Sequence, residues 1–289
     1  MALQRPTATS ARMVLQQSIT GAGGSVRSMV DAPATYKRNV DVPWVEFSTR
    51  KYWQDNYAAV QPEDHEIIDR VSRFFASAFG SRGKVQCAID VGTGPNLYPA
   101  LLMLPWTDRI LLTDYSEGNL GWLRQCVLDD SGPWPWQSFW REIDKRAGYD
   151  QVAEPRKSLK EACTDRLGYS GIERRSVFDL PPRRWQLGTM FFVAESITSD
   201  IAEFRSAVGC FLGALADGAP FAAAFMGGST GYKVDGKEFP ALPVSREDVA
   251  DCLVEFGASG LDVCLLQTSH RVRKGYNGML VATGIVGSR

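Results

Sequence analysis

The sequence predicts an α/β protein: one doubly wound, mostly parallel sheet preceded by a helical cap. Three observations predict it. Seven strand-like apolar runs recur at 85–91, 109–114, 175–178, 188–193, 220–226, 261–267 and 279–285. Helical stretches separate most of them, and that alternation lays strands parallel and covers both faces of the sheet. The first run ends in Gly92-Thr-Gly94 and the second in Asp114. A buried strand, a glycine turn and an acid about twenty residues further on are how such a sheet holds a nucleoside at its carboxyl edge.

The elements follow in order. The stretch from Met1 to Val30 carries Arg5, Arg12 and Arg27 among small and polar residues, with no acid before Asp31. That composition suits a transit peptide or a plain disordered segment, and we read 1–40 as a flexible tail. Residues 42–57 are rich in aromatics, and 63–79 place Ile67, Ile68, Val71, Phe74 and Phe75 at helical spacing, so 41–84 form the helical cap. The core, 85–289, carries an insertion at about 129–172. Trp134, Trp136, Phe139 and Trp140 open it and a charged helical stretch follows; such a segment is a lid over a substrate or a packed surface subdomain. The last two strand-like runs suit an antiparallel hairpin.

Composition narrows the function. A chain of 289 residues, 44% of them hydrophobic, buries a full core and fits one large decorated domain. A net charge of −1 gives no global field to attract nucleic acid or an anionic membrane, so the expected partner is a small molecule. The six cysteines form no C-x-x-C pair and read as reduced core residues. His65 and His270, far apart, offer little for a zinc site or a histidine-centred nucleophile. No metal is expected. No apolar run reaches the ~18 residues that span a bilayer, and the expectation is a cytoplasmic monomer.

Gly92 and Gly94 allow a sharp turn that brings bare backbone N–H groups to a ligand above the sheet. A dinucleotide site wants a third glycine where Asn96, Leu97 and Tyr98 stand, so the loop favours an adenosine ligand without a pyrophosphate. S-adenosylmethionine is the common one. An NAD-dependent oxidoreductase is the first rival, disfavoured by that missing glycine and by the lack of a Tyr-x-x-x-Lys arrangement. A non-enzymatic adenosine-binding scaffold is the second.

Five segments in order resemble a family of small-molecule methyltransferases that act on nicotinamide, phenylethanolamine, indolethylamine and thioethers. They are Phe47-Ser-Thr-Arg-Lys-Tyr-Trp-Gln-Asp-Asn-Tyr57, Ile89-Asp-Val-Gly-Thr-Gly-Pro-Asn-Leu-Tyr98, Thr113-Asp-Tyr-Ser-Glu-Gly-Asn-Leu120, Phe192-Val-Ala-Glu-Ser-Ile-Thr-Ser-Asp200 and Leu242-Pro-Val-Ser-Arg-Glu-Asp-Val249. The resemblance runs from about Val45 to Ile285. It implies the Rossmann-like class I methyltransferase sheet and S-adenosylmethionine as cofactor. It also implies that Tyr57, Gly92 and Tyr98 hold the methionine end, that Asp114 and Asn119 bind the ribose hydroxyls, and that Asp179 reaches the adenine amino group with Leu180 beside it. Gly94 and Tyr115 belong to the same set, Tyr52 roofs the methyl group, and Asp90 is the carboxylate that holds the glycine loop.

The acceptor end departs from the pattern. Amine-methylating members carry acids after the fifth strand and near the final hairpin, whereas this chain has Met226-Gly-Gly-Ser-Thr-Gly-Tyr232 and His270-Arg-Val-Arg-Lys-Gly-Tyr-Asn277. The expected acceptor is therefore neutral or anionic, with Arg271, Arg273 or Lys274 facing it, and Tyr232, Arg273 and Asn277 are the candidate substrate contacts. Glu195 is the one acid left at a family pocket position, a candidate to orient or deprotonate the acceptor or else a carboxylate that pairs with Ser196.

Overall fold

The computed structural model describes residues 38–80, 82–164, 170–267 and 273–288. Of the expected tail, 1–37 lie outside the described residues, as do His270 and Arg271. Two single 3-10 turns, Asn39–Asp41 and Trp44–Glu46, lead into helices α1 (Thr49–Tyr57) and α2 (Pro62–Phe79). Proline at the first position starts α2. Gln61 and Asp64 cap it reciprocally, and Ile67, Ile68, Val71 and Phe75 form its buried stripe.

The sheet then builds from β1 (Val85–Val91), β2 (Thr107–Asp114), β3 (Ile172–Arg174), β4 (Leu187–Phe191), β5 (Pro220–Gly227), β8 (Ala258–Leu266) and β9 (Gly278–Val286). Between its strands lie α3 (Tyr98–Met103), α4 (Glu117–Val127), α5 (Gln137–Ile143), α6 (Pro155–Ala162), α7 (Ile201–Ala214) and α8 (Arg246–Glu255). Strand order is β3-β2-β1-β4-β5-β9-β8, and only β9 runs against the others, paired antiparallel to β5 and β8. This is the expected doubly wound sheet with its closing antiparallel hairpin. Every residue of β4 and β5 is buried, as befits central strands covered on both faces. One core joins Ile67, Phe75, Leu101, Trp136 and Phe139 on one face, and a second joins Phe204, Phe211, Phe221 and Leu253 on the other. Strand order reverses between β1 and β4, where such sheets open a crevice for ligands.

Three features differ from the sequence reading. The third strand is Ile172–Arg174 rather than 175–178, because Ser176 begins a turn: its carbonyl accepts from the Asp179 N–H at 3.0 Å and its Oγ from the Phe178 N–H at 3.2 Å. The aromatic insertion is core. Trp136 and Phe139 are fully buried and Trp140 nearly so, in the same core as α2 and α3 residues, and none of the described residues of 129–172 lines the cleft. A lid does exist, made by a second sheet, β6 (Tyr232–Val234) paired with β7 (Lys237–Phe239). Val234 and Phe239 pack on Val42, with Trp44, Phe47 and Tyr52 against them, so the hairpin and the segment before α1 form one aromatic roof. Among the described residues no helix is long and apolar enough to cross a membrane.

Candidate active site

A cleft opens at the carboxyl edge of β1, β2 and β4, beneath that roof. The glycine turn makes its floor. Gly92 has φ +64°, and a Cβ there would sit 2.6 Å from Val193 Cγ2, so only glycine lets the loop lie against the exit of β4. Gly94, φ +56°, donates its N–H to Asp114 Oδ2 at 2.8 Å. Beneath the turn, Asp90 is buried; its Oδ1 accepts from Thr189 Oγ1 at 2.6 Å and its carbonyl from the hydroxyls of Thr93 and Thr113. Burial pushes its carboxyl up to about 7. Asp90 is not on the cleft wall; it fastens β1 to β4 and holds the loop.

Asp114 ends β2 on the wall of the cleft. Its Oδ1 accepts from the Ser116 N–H at 2.8 Å and from Asn119 Nδ2 at 3.1 Å, and its Oδ2 from Gly94. Burial pushes this carboxyl up, and those hydrogen bonds oppose the shift. The Tyr115 N–H also bears on this carboxylate, which has about four acceptor positions in all. Asn119 is fixed in turn by Thr49 Oγ1, which donates to its Oδ1 at 2.8 Å. One chain of bonds thus runs from α1 through α4 to the acid of β2.

At the other end the cleft is aromatic. Tyr52 and Tyr57 of α1, Phe47 and Tyr232 line it, with ring centroids 5.1 to 6.2 Å apart around Tyr52. Behind them lies Arg273, 9% exposed. It donates through Nη2 to the Tyr52 hydroxyl at 2.9 Å and through Nη1 to Ser196 Oγ at 3.0 Å, and its guanidinium lies 4.1 Å over the Tyr232 ring. Ser196 Oγ donates in turn to Glu195 Oε1 at 2.9 Å. Glu195 is fully buried; Oε1 also accepts from the Met226 N–H, and Oε2 has no partner. Burial pushes its carboxyl up, while the Met226 N–H and Arg273 pull it down.

Tyr52, Tyr57, Gly92, Gly94, Asp114, Tyr115, Asn119 and Tyr232 therefore meet in one cleft, as the sequence reading gathers them. Glu195 reaches it only through Ser196. Tyr98 stands a layer behind Tyr57, stacked on Phe139 with centroids 5.2 Å apart. Asp179 is exposed on the turn after β3 and Leu180 packs into the second core; the wall there is Ser176 and Val177, because the turn begins three residues earlier than the sequence reading has it. Asn277 is exposed off the wall, its N–H bonded to the Gly227 carbonyl at 3.1 Å. Thr49 went unread, since a hydroxyl that serves a neighbour leaves no signature, whereas the expected pairing of Glu195 with Ser196 is present. Phe192, also on the wall, holds φ +60°, a costly backbone for a bulky residue and one typical of functional clefts.

Among the described residues that line the cleft, Asp114 is the only acid. The model of the NNMT/PNMT/TEMT family matches residues 39–283. The chain belongs to this family. Phenylethanolamine N-methyltransferase of Rattus norvegicus is 28% identical to it over 255 residues, 79% of this chain and 82% of that protein. Nicotinamide N-methyltransferase of Sus scrofa is 23% identical over 211 residues, 72% of this chain and 78% of the other. Among solved structures, the N-methyltransferase NodS of Bradyrhizobium japonicum WM9, in complex with S-adenosyl-L-homocysteine, superposes with a TM-score of 0.50 at 13% identity, covering 82% of this chain and 93% of that one. This family member is an S-adenosylmethionine-dependent methyltransferase with the Rossmann-like fold of its class. The cleft suits that cofactor: the Asp114 carboxylate on the wall, bare backbone at Gly92 and Gly94, and Asn96 Nδ2 without a well-formed hydrogen bond.

Proposed function

We propose that the enzyme methylates a small neutral or anionic acceptor rather than a protonated amine. The observation that carries this reading is the charge at the aromatic end of the cleft. Arg273 is buried behind Tyr52 and Ser196, and Asp114, the one acid on the wall, belongs to the other end. An ammonium group would meet a guanidinium in a poorly solvated space with no carboxylate among the described lining residues of that end to pair with it, Glu195 standing behind Ser196, an arrangement that disfavours cationic ligands.

In this reading Asp114 and Asn119 take the ribose diol, Tyr115, Ser176 and Val177 flank the base, and Tyr57 and Asn96 hold the amino-acid end. The bound cofactor supplies an electrophilic methyl group on a sulfonium. The chain's own work is to position the acceptor, exclude water with the Tyr52–Tyr232 roof and set the local charge. Glu195 acts as a positioning residue, orienting Ser196 and through it Arg273. The reading is of a monomeric, cytoplasmic enzyme, and the small net charge suits the lack of a nucleic-acid partner.

The test compares an aromatic carboxylate, its amide and an arylalkylamine as acceptors, in wild type and in Arg273→Ala. Turnover of the first two but not the amine, with KM for the carboxylate raised in the variant, is expected. An amine as the best acceptor, unaffected by Arg273→Ala, would overturn the reading.

A further inference from the structure

The Tyr52 hydroxyl accepts a hydrogen bond from Arg273 Nη2. Its lone pair is thereby engaged with a cation, and its own proton is left to donate. Tyr52 lines the cleft, so that proton is available to an acceptor group there. A phenol whose oxygen is held by a guanidinium is a strengthened donor, and strong donors favour the anionic form of whatever they contact. Of the groups around Tyr52, Arg273 is the one that favours an anion. Arg273 comes from the loop before β9 and Tyr232 from β6. Tyr57 lies on Tyr52's own helix, and Glu195 stands behind Ser196 rather than on the wall.

We infer that the nucleophile is an aromatic hydroxyl or thiol that the Tyr52–Arg273 pair binds as its anion, so that the reaction needs no general base on the cleft wall. This rests on the methyltransferase reading above and names the substrate class of the same site. The aromatic walls of Phe47, Tyr52 and Tyr232 suit a planar ring, and the absence of acids at this end among the described lining residues is then a requirement rather than a defect. The balance is simple. On binding, the acceptor's O–H or S–H proton leaves to bulk water. The anion's lone pair then forms the new bond to the methyl carbon, the pair of the broken S–C bond stays on sulfur, and cation and anion both become neutral with no proton moved. Tyr52 touches the acceptor and Arg273, acting through it, is a positioning residue.

The experiment titrates 4-nitrophenol and, separately, 4-nitrothiophenol bound to the protein saturated with S-adenosylhomocysteine, following the absorbance of the anion against pH. A bound probe that ionises at least about one pH unit below the free compound is expected, roughly a tenfold gain in acidity. Tyr52→Phe should return it to the free value, Arg273→Gln should lose much of the shift, and Arg273→Lys should keep most of it. The phenol and thiol arms decide between oxygen and sulfur. A probe that does not bind, binds unshifted, or shifts equally in Arg273→Gln overturns the inference. Calorimetry of S-adenosylhomocysteine on the same preparations separates the two failures: no binding there defeats the methyltransferase reading, whereas normal binding with an unshifted probe defeats the anion alone.

Discussion

Replacing Gly92 by alanine tests how the glycine turn is held, and the cost follows from the coordinates. At φ +64° an L side chain sits in the left-handed region, a penalty of about 1–2 kcal/mol. The new Cβ would also stand 2.6 Å from Val193 Cγ2 and 2.9 Å from Cγ1, inside any normal contact. Overpacking of that kind costs about 1–3 kcal/mol, so the total is about 2–5 kcal/mol of stability. The two parts separate in a double-mutant cycle. Val193→Ala makes room for the methyl group without changing φ, so the pair should couple favourably by about 1 kcal/mol or more while the backbone penalty stays. Urea unfolding of the four proteins gives the stabilities, and calorimetry with S-adenosylhomocysteine reports whether the loop still meets its ligand. Gly92→Ala within about 0.5 kcal/mol of wild type, or a cycle with no coupling, would refute the reasoning.

Other consequences are as direct. Thr49→Val removes the hydroxyl that fixes Asn119 and leaves a buried acceptor unpaired, so cofactor affinity should fall by about threefold to tenfold, with a lower Tm. Asp64 and Asp90 are buried and burial raises each carboxyl to about 7. Their folded values lie above the unfolded one, so the stability they contribute is present below about pH 4 and is lost as pH rises through about 7, by up to about 4 kcal/mol each. Between pH 5.5 and 8 about 2 kcal/mol of that loss falls on each group, so the denaturation midpoint should drop over that range and Asp64→Asn with Asp90→Asn should flatten the drop; a wild-type profile that rises with pH would contradict it.

The legible part of the chain was the part where sequence and backbone obey one local rule. Residues 85–114 carry a continuous apolar run, a glycine turn and an acid, and each has one structural meaning in a parallel sheet. Helix α2 announced itself by the period of Ile67, Ile68, Val71, Phe74 and Phe75. The lid did not, although Asp235-Gly236 between alternating residues is a hairpin signal, and both positions hold positive φ, +52° and +78°. The tryptophans of the insertion misled because an aromatic cluster looks the same whether it covers a ligand or a helix; only the path of α5 decides. Asp179 was displaced from the wall by a turn that Ser176 begins. Arg273 was one of three basic neighbours, and what distinguishes it, two hydrogen bonds and a tyrosine face, exists only after residues 52, 196 and 232 have been brought together.

The central claim is that Asp114, held by Gly94, Ser116 and Asn119, binds the ribose of S-adenosylmethionine. Isothermal titration of wild type and Asp114→Ala with S-adenosylmethionine, S-adenosylhomocysteine and NAD tests it most directly. The account predicts micromolar binding of the first two, at least tenfold weaker in the variant, and none of NAD. Undiminished affinity in Asp114→Ala, or a preference for NAD, would contradict it.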